Sequence, residues 1–152
     1  MRNESEAKRS ERERLKRKAS PNTVTKDDIV RKLKPLWLKG LIAAERDIQG
    51  IVNHLINNRA YERAKQKISL LNRLEIEQYE LENDPNAVPS LVSKAVNEAL
   101  TLAAHHFYPN GDFEGLPSET IVQDIGRGDT KKLVAVIGYF KLALLRPRGG
   151  HY

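Results

Sequence analysis

The sequence contains no cysteine, which excludes a disulfide scaffold, a thiolate zinc site, an iron–sulfur cluster and a cysteine nucleophile. It also lacks the glycine-rich phosphate loops, the GxSxG elbow and the HExxH zinc motif. No stretch approaches the ~20 consecutive apolar residues of a membrane-spanning helix, and the charged N-terminus lacks the apolar segment of a signal peptide. We therefore expect an intracellular protein that binds a partner, is not an enzyme and needs no cofactor or metal.

Positive charge is the most informative feature that is present. The 152 residues are enough for one domain. They include 26 Lys and Arg against 20 Asp and Glu, so the formal net charge is +6 and the pI is about 9.6. An excess of positive charge favours an anionic partner, and nucleic acid is the first to consider.

The excess charge is concentrated in a basic arm at residues 1–20. Residues 1–19 contain eight basic and four acidic side chains, a balance of +4, which leaves +2 for the other 133 residues. The arm has no apolar face to pack on a core, so we expect it to become ordered on a partner, before Ser20-Pro21 ends it. The residues predicted to contact phosphates here are Arg2, Lys8, Arg9, Arg12, Arg14, Lys16, Arg17 and Lys18.

Apolar residues then recur at helical spacing. Thr25 and Asp28 form a pattern like a capping box, and an apolar stripe continues from there to Leu55. Pro35 predicts a kink or break near Lys34. Gly40 and Gly50 weaken this helix, which indicates close approach by another helix.

Four further helices are expected along the rest of the chain. The first covers residues 59–82, the second runs from a cap at Ser90 to residue 107, and the third covers residues 117–125. The fourth begins after a cap at Asp129 or Thr130. The apolar run 133–145 is predicted to be a buried helix, with a strand as the alternative because its start is rich in valine. The sequence thus predicts an all-α fold, a bundle of four or five helices over 21–145, followed by a basic flexible tail at 146–152.

The third predicted helix has basic residues in its first half and acidic residues in its second. This order is unfavourable for the helix dipole, so it does not stabilise the helix itself. We predict that the basic half binds nucleic acid and that the acidic half contacts a basic segment of a neighbouring subunit, in contacts that can propagate into a filament. A solvated face with an accidental charge order is the alternative. The basic set is Arg59, Arg63 and Lys67, and the acidic self-assembly set is Glu75, Glu77, Glu80 and Glu82.

Three short patterns are less specific. Arg148-Gly149-Gly150 is a single RGG-like triplet close to Arg146, and both arginines are predicted to contact phosphates, with a frayed terminus as the alternative. Residues 118–138 have the outline of a helix-turn-helix, but the second helix is apolar and belongs in a core. His105 and His106 point about 100° apart on a helix, so no metal site is expected.

The chain combines the basic arm at 2–18, the Ser20-Pro21 break, a long helix kinked at Pro35 and an apolar closing helix. This arrangement, which includes no sequence motif, resembles the coat proteins of archaeal filamentous viruses, small helical proteins whose extended basic arm wraps DNA. The resemblance implies a structural protein of the virion that coats or packages nucleic acid non-specifically, duplex DNA rather than RNA, and self-assembles as a homo-oligomer or filament. Two alternatives are an RNA-bound or ribosomal-type accessory protein and a helical adaptor for protein–protein interaction.

Overall fold

The computed structural model describes residues 23–111, 113 and 115–146, and within them the chain forms six α-helices and no strand. An all-helical fold is thus confirmed, and the strand alternative for 133–145 is wrong. The basic arm at 1–20 and tail residues 147–152 lie outside the described residues. The helices are α1 (Lys26–Lys32), α2 (Lys34–Asn57), α3 (Tyr61–Asn83), α4 (Ser90–Phe107), α5 (Pro117–Gly126) and α6 (Thr130–Leu145).

The expected count of four or five helices is corrected to six because the first apolar stripe divides at Leu33. Thr25 opens α1 with both hydrogen bonds of a capping box, one accepted from the Asp28 backbone N–H and one donated to the Asp28 carboxylate. Pro35 lies in the first turn of α2, where its missing N–H costs nothing. The Trp37 indole N–H donates to the Ile29 carbonyl at 3.2 Å and so ties α2 to α1 across the break.

Helix α4 is central and packs against α6, α5, α1 and α3, while α2 packs between α3 and α6. The core consists of one face of each helix, and α4 contributes the largest share of fully buried residues. Helix α3 lies at the edge of the bundle, because most of its contacts are with α2. The outer face of α3 is therefore open to solvent.

The close approach predicted at two glycines is confirmed at Gly40 and wrong at Gly50. A Cβ at Gly40 would lie 2.7 Å from the ring of Phe140 on α6, whereas a Cβ at Gly50 would meet nothing within 4 Å. The Phe140 ring in turn stacks at a tilt against Trp37, with ring centroids 4.8 Å apart. The missing side chain at Gly40 thus lets α2 and α6 pack together through these two aromatic rings.

Helix α6 is capped by Asp129, whose carboxylate accepts from the Lys132 backbone N–H. Its predicted burial is only partly correct. Phe140 is fully buried, but Val134 and Leu142 are 67% and 55% exposed. The helix therefore has one core face, and its apolar outer side faces solvent.

Candidate nucleic-acid interface

The α2–α3 hairpin extends past the core at a segment that we call the hairpin tip, residues 54–67. The main core includes Val52 of α2 and makes contact with Leu70 and Leu71 of α3, but it includes neither of the two buried residues of the tip, Leu55 and Ala64. The tip is therefore supported by the pairing of its own two helices. A projecting hairpin of this kind is accessible to a large partner.

The turn of the hairpin tip holds Arg59 in a left-handed conformation, with φ of 63°. The Arg59 N–H donates to the Ile56 carbonyl at 3.0 Å, and the Ala60 N–H donates to the Leu55 carbonyl at 2.8 Å. These two bonds are those of a Schellman motif, whose left-handed position is usually glycine. An arginine there is strained, by about 1 kcal/mol relative to glycine. Such strain is typical of functional positions.

The three cations predicted from the basic half of the third helix are all on the hairpin tip. Arg63 and Lys67 are one turn apart on α3, and Arg59 lies in the turn that precedes this helix. None of the three forms an ion pair with another described residue. Tyr61, which opens α3, is 56% exposed beside them. The tip thus presents positive charge together with an exposed aromatic ring.

The other predicted phosphate-binding residues are not joined to this surface by any described contact. Arg146, at the end of α6, forms an ion pair with Glu98 of α4 and is thereby neutralised within the domain. Arg148 and the basic residues of the arm lie outside the described residues.

Glu77 does not belong to an acidic surface, which corrects its place in the predicted self-assembly set. Its side chain is buried, and its two carboxylate oxygens accept from the backbone N–H groups of Leu91 and Val92, each at 2.8 Å. These are the N–H groups that a helix normally satisfies with its N-cap. The cap predicted at Ser90 is therefore wrong, since Ser90 is the first residue of α4 and Glu77 of α3 takes over the capping.

The other three predicted glutamates, Glu75, Glu80 and Glu82, are exposed on the rear half of α3. Glu45 of α2 lies between the two helices, near Glu75 and Glu82. The side-chain amide of Gln78 on α3 is next to it. When this amide is oriented to donate, its nitrogen lies 2.5 Å from a carboxylate oxygen of Glu45. Burial, together with the charges of Glu75 and Glu82, raises the pKa of Glu45. The end of the hairpin that is formed by Glu45 and the second half of α3 thus carries negative charge, whereas the hairpin tip carries positive charge.

A polar cluster that the sequence analysis missed joins the end of α4 to α5 and α6. Lys132 lies 3.0 Å from Asp124, 3.1 Å from Asp129 and 3.0 Å from the Tyr108 hydroxyl. The hydrogen bond with Tyr108, followed by those with Asp124 and Asp129, raises the pKa of Lys132. A lysine held in its charged form is a poor nucleophile or base at neutral pH. The cluster therefore suits the anchoring of helices.

An open groove of about 730 Å³ lies beside this cluster, between the start of α1 and helix α5. Two of its polar groups already have partners, because Asp124 binds Lys132 and Gln123 donates to the Val24 carbonyl at 2.7 Å. In the part of the chain that the structure describes, no group of three or more His, Asp and Glu residues could hold a metal ion, and no helix is long and apolar enough to cross a membrane. The hairpin tip is thus the best candidate for a functional site.

No protein-family model matches this chain, and no curated protein or solved structure matches it. The function is accordingly argued from the geometry and charge of the site.

Replacing Arg59 with glycine is expected to stabilise the protein and to weaken the binding to nucleic acid that the sequence predicts. Glycine adopts a positive φ without strain, so the free energy of unfolding should rise by about 0.5–1 kcal/mol, while one predicted phosphate contact is lost. Urea denaturation and a DNA-binding titration of the same preparation measure the two effects. Arg59→Lys, which keeps both the charge and the strain, is the control. Stabilisation without any loss of affinity would show that Arg59 does not contact nucleic acid.

Proposed function

We propose that the protein coats or packages nucleic acid without sequence specificity, and that it self-assembles on it as a structural component of the virion type. The observation that carries the proposal is the hairpin tip, where Arg59, Arg63 and Lys67 project beyond the core with no acidic partner among the described residues. Duplex DNA is the partner that we favour over RNA.

The chemistry of the tip suits phosphates rather than base edges. Arginine and lysine side chains neutralise phosphates and release counterions whatever the sequence. The second helix of the 118–138 segment, α6, is not a polar recognition helix, because it places Val136 in the core.

Arg63→Glu/Lys67→Glu tests the proposal. With two phosphate contacts removed, the affinity for duplex DNA should fall at least roughly tenfold, and the slope of log affinity against log salt should become shallower by about 2. Fluorescence anisotropy with a labelled duplex, measured at several salt concentrations, gives both quantities. The same titration with RNA of equal length tests the preference for DNA.

The control Lys39→Glu/Lys94→Glu makes the same change in net charge at exposed lysines of α2 and α4. It should weaken binding much less than the tip variant. Equal losses in the two variants would show that net charge, and not the tip, governs binding. Deleting residues 1–20 in the same assay measures the contribution of the predicted basic arm separately.

A further inference from the structure

A row of exposed side chains runs along the outer face of α3. Its positions follow one another by three or four residues, so they share one side of the helix. Four of them are large and apolar, and Ile76 and Tyr79 are 60% and 68% exposed. The row consists of Tyr61, Lys65, Ile68, Asn72, Ile76, Tyr79 and Asn83. This spacing is that of a helix face that packs against another helix.

The α3 row is symmetric about Asn72. Positions 68 and 76 are equally far from it and are both isoleucine, and Lys65 and Tyr79 are also equally far from it. A second α3, running antiparallel with Asn72 opposite its own copy, would therefore place Ile68 on Ile76 at both ends of the contact. The same alignment brings the Lys65 ammonium group to the Tyr79 ring, a cation–π arrangement.

A second row of exposed side chains, on α2, ends in two isoleucines, Ile42 and Ile56, each seven residues from Gln49. It consists of Ile42, Arg46, Gln49, Asn53 and Ile56, all exposed. Glu45 lies opposite Gln78 in the antiparallel hairpin. Gln49, four residues further along α2, therefore lies opposite position 74, four residues earlier on α3. Position 74 is two residues from Asn72, about 3 Å along the helix. A twofold axis through Asn72 of the α3 row thus passes close to the middle of the α2 row as well.

Charge supports the antiparallel direction. The exposed Lys65 lies in the basic half of α3, and its pairing with Glu62 at 3.7 Å joins two largely solvated side chains. In the antiparallel alignment Lys65 reaches the level of Glu80 and Glu82 of the other copy, whereas a parallel alignment would set acidic half against acidic half. The partner thus accounts for a charge order that α3's own dipole disfavours.

We propose that a second copy of this chain binds the outer face of the α2–α3 hairpin, so that two antiparallel α3 helices form a twofold dimer centred on Asn72. This deepens the self-assembly part of the proposed function by naming the surface and the partner. The face is about 34 Å long, from the 23 residues of α3, and two helices wide. That is on the order of the ~800 Å² per partner found in stable interfaces.

Single-cysteine variants test the dimer, because the natural chain has no cysteine to interfere. On the axis, Asn72→Cys should form a disulfide with its copy under mild oxidation, since the two positions face each other. Lys65→Cys should not, because its two copies would lie about 21 Å apart along the helices. Val134→Cys on α6 gives the rate of chance collision, and we expect Asn72→Cys to react at least tenfold faster than either control.

The second arm of the test uses sedimentation of nuclease-treated protein, free of nucleic acid. The natural chain should have twice the mass of the 17.3 kDa monomer, Ile76→Asp should be monomeric, and the equally exposed Val134→Asp should stay dimeric. A monomeric natural chain at ~1 mM, or an Asn72→Cys rate no faster than that of the controls, would overturn the proposal. Because nucleic acid is absent, either result leaves phosphate binding at the tip unaffected.

Discussion

Replacing Glu77 with alanine is expected to lower the free energy of unfolding by about 3 kcal/mol. The change leaves two buried backbone N–H groups at the start of α4 without an acceptor, and each unsatisfied group costs about 1–3 kcal/mol. For a chain of this size, the melting temperature should fall by about 10 °C. Thermal and urea denaturation followed by circular dichroism measure the effect.

Two further variants test whether the loss of stability in Glu77→Ala comes from the lost cap of α4. Glu80→Ala removes an exposed carboxylate from the same helix and should change stability by less than about 0.5 kcal/mol. Glu77→Gln retains one acceptor oxygen and should fall between the natural chain and Glu77→Ala. A Glu77→Ala variant as stable as Glu80→Ala would show that α4 does not depend on this contact.

Replacing Gly40 with valine is expected to destabilise the protein by a similar amount, about 3 kcal/mol. The first added carbon would lie 2.7 Å from Phe140, and that ring is fully buried and held against Trp37, so it has little room to move. Overpacking a rigid core costs about 1–3 kcal/mol, and sometimes more. Urea denaturation measures the loss.

The matched control is Gly50→Ala on the same helix. Its added carbon meets nothing within 4 Å, and alanine is favoured over glycine inside a helix by about 1 kcal/mol. It should therefore stabilise the chain. If Gly40→Val were neutral, α2 and α6 would have to be able to separate locally without cost.

Much of the fold could be predicted from the sequence because local signals set it. Apolar spacing placed the helices, Pro35 and the capping pair Thr25 and Asp28 placed the first boundaries, and Asp129 placed the last. The burial of α6 was predicted less well. Its outer side includes the apolar residues Val134 and Leu142, so hydrophobicity alone does not show which face packs on the core.

The role of Glu77 could be predicted only in part. It shares its spacing with Leu74 and Leu81, which marks a core-facing position, and this signal was available in the sequence. Its partners at the start of α4 lie 14 and 15 residues away, so only the packing of α3 against α4 shows the cap. The Lys132 cluster likewise joins three separate elements that no local pattern relates.

The basic set on the third helix was predicted from composition, but the features that make it a candidate site come from the fold. The pattern gave Arg59, Arg63 and Lys67 positive charge at helical spacing. The structure adds that they lie on a projecting tip and that Arg59 has a strained backbone. Both depend on where the α2–α3 hairpin turns relative to the core.

Trp37, which ties α1 to α2, gives the protein an internal optical reporter. It is the only tryptophan in the chain and is fully buried, so its emission shifts to the red when the core opens. The hairpin tip lies outside that core, so DNA bound at this proposed site would leave the signal of the folded state unchanged. Unfolding can therefore be followed by fluorescence with DNA present, and the rise in melting temperature with DNA concentration gives a second measure of affinity through linkage.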